Sequence, residues 1–202
     1  MSVDGFVFVD LETTGTEAEV CEILEIGFAL YSADLMPIER FEALAVTTGT
    51  SALIDRLHTD PAFDVVKRMH TDNGLFADLR TEIAAAGDNA PQDLSGFESD
   101  IVDLLARWGV DSSTPLCGSS HRMDREFLAR WMPKTDALFS YRIIDASSFR
   151  EAGLRLDRER TKSRLDLVAK YGAPAHRVVE DMHHSANVLR VFHDRAPIPL
   201  GA

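Results

Sequence analysis

The stretch Gly5-Phe6-Val7-Phe8-Val9-Asp10-Leu11-Glu12-Thr13-Thr14-Gly15 joins a run of apolar, β-forming residues to two carboxylates. The apolar run, 6–9, predicts a buried strand near the middle of a sheet. Side chains alternate along a strand, so Asp10 and Glu12 point the same way if the strand extends to them. Adjacent like charges are unfavourable unless a cation lies between them, and Mg²⁺ prefers carboxylate oxygens. The stretch therefore predicts half of a divalent-metal site, with a solvated strand end as the alternative.

Composition and charge limit the class of protein. The chain has 202 residues, of which 45% are hydrophobic and 27% charged, which indicates one globular domain. We predict that this domain covers residues 1–195 and that a flexible tail follows at 196–202. The 21 basic and 33 acidic residues leave a net charge of −12. That balance argues against a broad basic surface for long nucleic acid, but it permits a short anionic substrate bound through metals.

The compartment is predicted from the cysteines and the apolar runs. Two cysteines, no apolar run near 18 residues and no basic, apolar leader are typical of a reduced cytoplasmic protein that makes no membrane contact. We expect no zinc site.

Periodicity predicts a mixture of strands and helices. The first strand, 21–31 and 38–47 form an antiparallel meander, in which Glu25 is expected at a rim or edge, with a role as a further ligand as the alternative. Helical periodicity begins at residue 51, and short strands are predicted at 114–120 and 141–145, each followed by a helix. Residues 155–164 are charged and are expected to form a surface loop.

Further acids and one histidine follow at positions where they can join the first pair. Asp124 lies in the first turn of a predicted helix directly after a strand, although helix capping would also explain it. His176 precedes the last helix, and Asp181 lies in its first turns, with Glu180 as the rival acid. His183 and His184 are interpreted as solvated helix residues.

Together these motifs resemble a known family. Asp10-Leu-Glu12-Thr-Thr-Gly15, Asp124 at a helix start, and His176 with Asp181 five residues later resemble the DEDD-type 3′→5′ exonucleases in their histidine variant. The resemblance to the oligoribonuclease family is tighter and covers most of the chain. It includes His70-Thr-Asp-Asn-Gly-Leu75, the segment from Cys117 through Asp124 to Pro133, and Tyr141-Arg142 leading to Asp145-Ala-Ser147. It implies the ribonuclease H-like α/β fold, a central mixed sheet with helices on both faces.

The resemblance also implies a role for each matching residue. The four acids Asp10, Glu12, Asp124 and Asp181 would hold two Mg²⁺ or Mn²⁺ ions, and His176 would be the general base for the attacking water. The expected substrate contacts are His70, Ser120, Tyr141, Arg142, Ser147 and the position of Thr16, with Ser120, Arg142 and Ser147 binding the far phosphate. Tyr141 matches a residue that acts from the partner subunit of a homodimer.

One position departs from the family. Leucine usually follows the glycine of the first motif and wedges against the bases, whereas this chain has Thr16, a shorter and polar residue. The segment 162–171 also resembles the proofreading relatives more than oligoribonuclease.

The predicted function is metal-dependent 3′→5′ hydrolysis of short single-stranded RNA to mononucleotides by a two-metal mechanism. The first alternative is a proofreading-type or general exonuclease that acts on single-stranded DNA. The second is a binding module without activity, which the five filled catalytic positions disfavour.

Overall fold

Five strands form the central sheet of this computed structural model, which describes residues 3–201 of the chain. The strands are β1 (Gly5–Thr13), β2 (Ile23–Ser32), β3 (Pro37–Leu44), β4 (Leu116–Gly118) and β5 (Ile143–Asp145). Their order across the sheet is β3-β2-β1-β4-β5. Strands β1, β2 and β3 are antiparallel neighbours, and β4 and β5 run parallel to β1. The strand that carries Asp10 and Glu12 is therefore central, as its apolar run predicts.

The helices surround this sheet. Those of the described residues are α1 (Thr50–Thr59), α2 (Asp64–Asp72), α3 (Leu75–Ala86), α4 (Ser95–Arg107), α5 (Arg122–Trp131), α6 (Pro133–Asp136), α7 (Ala146–Leu156), α8 (Arg158–Ala169) and α9 (Val178–Phe192). Two short 3-10 turns accompany these helices: Pro61–Phe63 lies between α1 and α2, and Gly87–Asn89 follows α3. None of these helices is long and apolar enough to cross a membrane.

The alternation of β1 divides its side chains between two cores. Val7 and Val9 pack with the apolar side chains of α4 and α5, such as Leu105 and Phe127. Phe8 points to the other face and packs with α9. Both faces of the sheet are therefore covered by helices, which confirms the predicted mixed sheet with helices on both faces. Because Asp10 and Glu12 follow Phe8 at steps of two, they point toward α9.

Gly27 allows α9 to lie directly against the sheet. It pairs with Asp10 across β1 and β2. A β-carbon at this position would lie 2.6 Å from Cβ of Val178 and 2.7 Å from Cε of Met182. Any larger residue would push α9 away, and with it Asp181, which lies between the two contacting residues. This glycine therefore helps to bring the start of α9 to the acids of β1.

The segment 155–164 corrects the sequence interpretation. Its charges predicted a surface loop, but from Arg158 it forms most of α8. Asp157 begins the helix by accepting a hydrogen bond from the backbone N–H of Arg160. Charged side chains suit a helix whose outer face is solvated, so charge density alone does not distinguish such a helix from a loop. The strand predicted at 141–145 is also shorter, since β5 begins at Ile143.

Part of the C-terminal tail is attached to α9. The backbone N–H of Ile198 donates to Oδ1 of Asn187 at 2.9 Å, and its carbonyl accepts from Nδ2 of the same residue at 2.9 Å. The sequence predicted this tail to be loose, and these bonds join it to the buried side of α9. The domain limits 1–195 stay a prediction, and residues 1, 2 and 202 lie outside the described residues.

Candidate active site

Four carboxylates from three distant parts of the chain meet in one cleft. Asp10 and Glu12 lie near the end of β1, Asp124 in the first turn of α5, and Asp181 in the first turn of α9. All four line the cleft together with His176. We call these four acids the acidic cluster. The structure thus brings together the five residues that the sequence singled out, across up to 171 positions of the chain.

Backbone groups orient the carboxylates of the acidic cluster. Oδ1 of Asp124 accepts a hydrogen bond from the N–H of Leu11 at 2.9 Å, which ties α5 to β1. The two oxygens of Asp181 accept from the N–H groups of Ala175 and His176 at 2.8 and 3.2 Å. One donor atom each from Glu12, His176 and Asp181 lies within 4.8 Å of the others, a spacing that allows them to share a cation.

The electrostatics of the acidic cluster favour a bound cation. Burial raises the pKa of Asp10 well above its ordinary value, and the charges of Asp124, Asp181 and Glu12 raise it further. Burial, followed by the charges of Asp181 and Glu25, raises the pKa of Glu12 to about 8. Burial also raises the pKa of Asp124 to about 7 and raises that of Asp181. Four ionised carboxylates are therefore costly here without positive charge between them.

The donor set fits hard divalent ions. Buried carboxylate oxygens at the mouth of a cleft are the ligands that Mg²⁺ and Mn²⁺ prefer. Of the neighbouring acids Glu180 and Asp181, it is Asp181 that lines the cleft. The choice of Asp181 over Glu180 therefore agrees with the geometry, and the ligand roles stay predictions.

His176 projects from the segment that leads into α9. Its side chain is exposed at the cleft, and its backbone is left-handed, with φ of 53°. Its carbonyl accepts a hydrogen bond from Nδ2 of Asn73, in the turn between α2 and α3. A non-glycine residue is held in this region only when its surroundings require it, and such residues cluster at functional sites.

His70 lies behind Glu12 and is fully buried. Its Nε2 is 3.1 Å from the carbonyl oxygen of Thr13, and because a carbonyl only accepts, Nε2 carries the proton. Its Nδ1 is 3.9 Å from Oε2 of Glu12. The ring thus holds the end of β1 through the carbonyl of Thr13. A fully buried ring does not agree with the direct substrate contact expected from the resemblance.

The expected phosphate-binding residues are only partly grouped. Oδ1 of Asp145, the residue before α7, accepts from the N–H groups of Ser120 and Ser147, both at 2.9 Å. This carboxylate holds the two serines together beside the cleft that Ser120 lines. The guanidinium of Arg142 lies 4.7 Å from the centre of the exposed Tyr141 ring. Ser120, Arg142 and Ser147 are called the phosphate cap below.

Thr16 lines the cleft at its open end. It shares this wall with the aliphatic side chains of Val65, Val66 and Met69 from α2 and of Met123 from α5. Val65 is 68% exposed. An apolar wall of this kind can contact the face of a base, whereas Thr16 itself offers little apolar surface.

The sequence interpretation was wrong about Glu25 and His183. Glu25 was expected at a rim, but it is 4% exposed and pairs directly with Glu12 across the sheet. His183 was expected to be solvated, but it is 5% exposed and bonds to the carbonyl of Ile198. An acid inside an otherwise apolar strand was the available signal for Glu25; nothing local to His183 indicated its burial.

Known proteins resemble this chain over most of its length. The chain is 30% identical over 188 residues to a protein named Oligoribonuclease from Azoarcus sp. (strain BH72), covering 93% of this chain and 92% of that protein. It is 30% identical over 201 residues to Oligoribonuclease from Mycobacterium leprae (strain TN), covering 97% and 83%. None of the family models compared with the chain matches it.

Solved structures share the fold at low sequence identity. A structure of exonuclease I aligns with 98% of this chain at 15% identity and a TM-score of 0.58. Exonuclease I from Methylocaldum szegediense aligns with 96% at 16% identity and a TM-score of 0.57. The chain spans about two fifths of the length of these solved chains. The likeness confirms the predicted ribonuclease H-like α/β fold, and the identity to the full-length relatives shows that the chain belongs to the oligoribonuclease family.

Proposed function

We propose that the protein is a 3′→5′ exoribonuclease that hydrolyses short single-stranded RNA to nucleoside monophosphates. The observation that carries this proposal is the meeting of the acidic cluster and His176 in one cleft. The names of the full-length relatives support the same activity. All five positions that the chemistry needs are filled, which argues against a binding module without activity.

The acidic cluster would hold two divalent ions, Mg²⁺ or Mn²⁺. When bound, such a pair lowers the pKa of the attacking water and stabilises charge on the attacking and leaving oxygens of the phosphodiester. The residues of the chain supply the positions: Asp10 and Glu12 from the sheet, Asp124 and Asp181 from two helix starts. Because these elements pack through the sheet core, the carboxylates are preorganised for their cations.

His176 would accept the proton of the attacking water. An imidazole can take a proton near neutral pH, and a general base must reach its proton directly or through one water. The ring is exposed at the cleft, and one of its nitrogens lies within 4.8 Å of carboxylate oxygens of both Glu12 and Asp181. A water between these groups would therefore lie within reach of the ring.

The phosphate cap would bind the far phosphate of a very short RNA. The backbone loop at Ser120 and the start of α7 at Ser147 are joined through Asp145, and Arg142 supplies a positive charge nearby in sequence. A guanidinium binds phosphate through two parallel hydrogen bonds, which a neutral side chain cannot replace. A cap at a fixed distance from the acidic cluster would favour short substrates.

We also propose a homodimer in which Tyr141 reaches the site of the partner subunit. Tyr141 is 79% exposed and precedes β5, the edge strand, where Ile143 is 45% exposed. An aromatic side chain this exposed beside an open strand edge is suited to an interface. Replacing Ile143 by lysine is expected to give a monomer by light scattering, and a wild-type monomer would contradict the proposal.

Digestion of labelled RNA and DNA in a length series tests the function. We expect release of mononucleotides from the 3′ end, complete dependence on Mg²⁺ or Mn²⁺, and faster turnover of two- to five-nucleotide RNA than of a 20-mer. The alternative, an exonuclease for single-stranded DNA, predicts that a 20-mer DNA is digested at least as fast as a dinucleotide. No release of mononucleotides from either polymer would overturn the assignment.

A further inference from the structure

Arg177, the residue after His176, joins the loop of the general base to two other parts of the protein. Its Nε and Nη2 donate to the carboxylate of Glu25 in β2, at 3.1 and 2.9 Å. Its Nη1 donates to Oδ2 of Asp78 in α3 at 2.8 Å. We propose that Arg177 is a positioning residue, which fixes His176 at the acidic cluster by binding Glu25 and Asp78 at once. The proposal rests on the function proposed above.

The backbone at His176 needs such support. A left-handed backbone is unfavourable for residues other than glycine, so the conformation persists only where its neighbours hold it. The N–H of His176 is bound by Asp181 and its carbonyl by Asn73. Arg177 adds the attachment on the other side and returns the chain to extended geometry, with φ of −139°, directly before α9. The backbone of residues 176–177 is thus held by contacts to β2, to the α2–α3 region and to the start of α9.

The partner of Arg177 is placed at the acidic cluster itself. Glu25 is directly opposite Glu12 in the antiparallel pair of β1 and β2. It is 4% exposed, and its second contact is the backbone N–H of Val178 at 3.3 Å. A bidentate arginine is the arrangement that best compensates a buried carboxylate. Arg177 therefore neutralises a fifth acid beside the cluster, and the same contact fixes the chain one residue away from His176.

The contact with Asp78 attaches Arg177 to α3 in addition to the sheet. Asp78 lies in the first turn of α3, and its side chain is 50% exposed, whereas that of Arg177 is 25% exposed. Asn73, which bonds to the carbonyl of His176, lies in the turn between α2 and α3. Both contacts come from the α2–α3 region that also forms the aliphatic wall of the cleft through Met69. The position of His176 is thus coupled to the wall that faces the substrate.

A double-mutant cycle tests whether Arg177 acts through His176. Arg177→Gln, Arg177→Lys and His176→Ala are made alone and combined, and kcat, KM for a dinucleotide and the Mn²⁺ concentration for half-maximal rate are measured. We expect Arg177→Gln to lower kcat about 10- to 100-fold, the range seen when supports of metal-site residues are removed. We expect KM and the Mn²⁺ requirement to change less than about twofold. Arg177→Lys keeps the charge but not the paired hydrogen bonds, and should restore kcat only in part.

The combined variants separate positioning from general stability. If Arg177 acts through His176, Arg177→Gln lowers kcat less than about twofold further in the His176→Ala protein. Arg190→Gln is the matched control, because Arg190 lies in α9, the helix that follows Arg177, is 8% exposed and binds the carbonyls of Asp34 and Ala196. That variant should lose thermal stability and keep the wild-type kcat.

Several results would overturn the inference. One is a kcat for Arg177→Gln equal to that of the wild type. Another is a double variant, Arg177→Gln with His176→Ala, whose fold-loss of kcat equals the product of the two single losses. A loss confined to KM or to the Mn²⁺ requirement would do the same. If Arg177→Gln does not fold, Asp78→Asn decides by the same cycle, with an expected severalfold loss of kcat. A wild type without nuclease activity would instead refute the proposed function.

Discussion

The acidic cluster lines the cleft, whereas the phosphate cap reaches it through Ser120, and the two groups are held in different ways. The carboxylates of the cluster come from a central strand and from the first turns of two helices, and Glu12 and Asp124 are 6% and 4% exposed. The cap residues Ser120 and Arg142 are exposed, and one carboxylate, that of Asp145, joins the two serines. The cluster is thus fixed by the core and the cap by local hydrogen bonds.

This difference separates chemistry from selection of the substrate. Side chains on packed strands and helix starts keep their geometry within the limits that catalysis needs. Exposed side chains on loops can differ between relatives without disturbing the core. We therefore expect substitutions in the acidic cluster to abolish turnover for every substrate, and substitutions in the cap to change which length is preferred.

The largest effect is expected from the acidic cluster. Asp10→Asn, Asp124→Asn or Asp181→Asn should each lower kcat more than about 100-fold, because losing a ligand exceeds the 10- to 100-fold cost of losing its support. Steady-state kinetics on a dinucleotide with Mn²⁺ measure this. Glu180→Gln is the matched control and should keep most activity. An active Asp181→Asn beside an inactive Glu180→Gln would reverse the assignment within that pair.

Metal binding should stabilise the fold through the same cluster. Burial, and after it the charges of neighbouring acids, raises the pKa of Asp10 and Glu12, so we expect divalent ions to bind the folded form and raise Tm. At about 100 times the dissociation constant the stabilisation is about 2.7 kcal/mol, or about 5–10 °C for a chain of this size. Thermal unfolding with and without Mn²⁺ measures it. An equal shift in the Asp10→Asn/Asp124→Asn protein would contradict a site at these residues.

Arg142→Ala should reduce the preference for short RNA. Hydrogen bonds to charged groups contribute about 1.5–3 kcal/mol, and for this exposed residue we expect the lower end, about a tenfold loss of kcat/KM on a dinucleotide. A 20-mer, which has other phosphates to offer, should lose less. Arg158→Ala, an exposed arginine of α8, serves as the control. Equal losses of kcat/KM on both substrates would show that Arg142 does not contribute to the preference for short RNA.

The smallest effect is expected at Thr16. A leucine there would add apolar surface to the wall that Val65 and Met69 already form. Partial burial of that side chain against a base contributes about 1 kcal/mol, which is roughly fivefold in kcat/KM for the shortest RNA. Thr16→Val, which adds almost no reach, is the control. The expectation is wrong if Thr16→Leu leaves the ratio between dinucleotide and 20-mer unchanged.

Sequence alone was sufficient to place a side chain where its position follows from the periodicity of one strand or helix. Alternation along β1 put Asp10 and Glu12 on one side, and a strand followed by a helix put Asp124 in a first turn. The central sheet and the positions of these acids could therefore be predicted, whereas their roles as metal ligands were implied by the resemblance and stay predictions. The resemblance then implied roles that periodicity cannot indicate, such as that of His176 as general base.

Tertiary structure alone decided the contacts that join distant segments. Glu25, Arg177 and Asp78 are separated by 53 to 152 positions, and no period of a strand or helix relates them. The burial of His70 also depends on how α2 packs behind β1, since Arg68, Thr71 and Asp72 around it in the sequence are polar. The acids of the site could be placed locally because each lies at a recognisable point of one element, the end of a strand or the first turn of a helix. The supports of the site became visible only in the fold, because each requires two or three elements to meet.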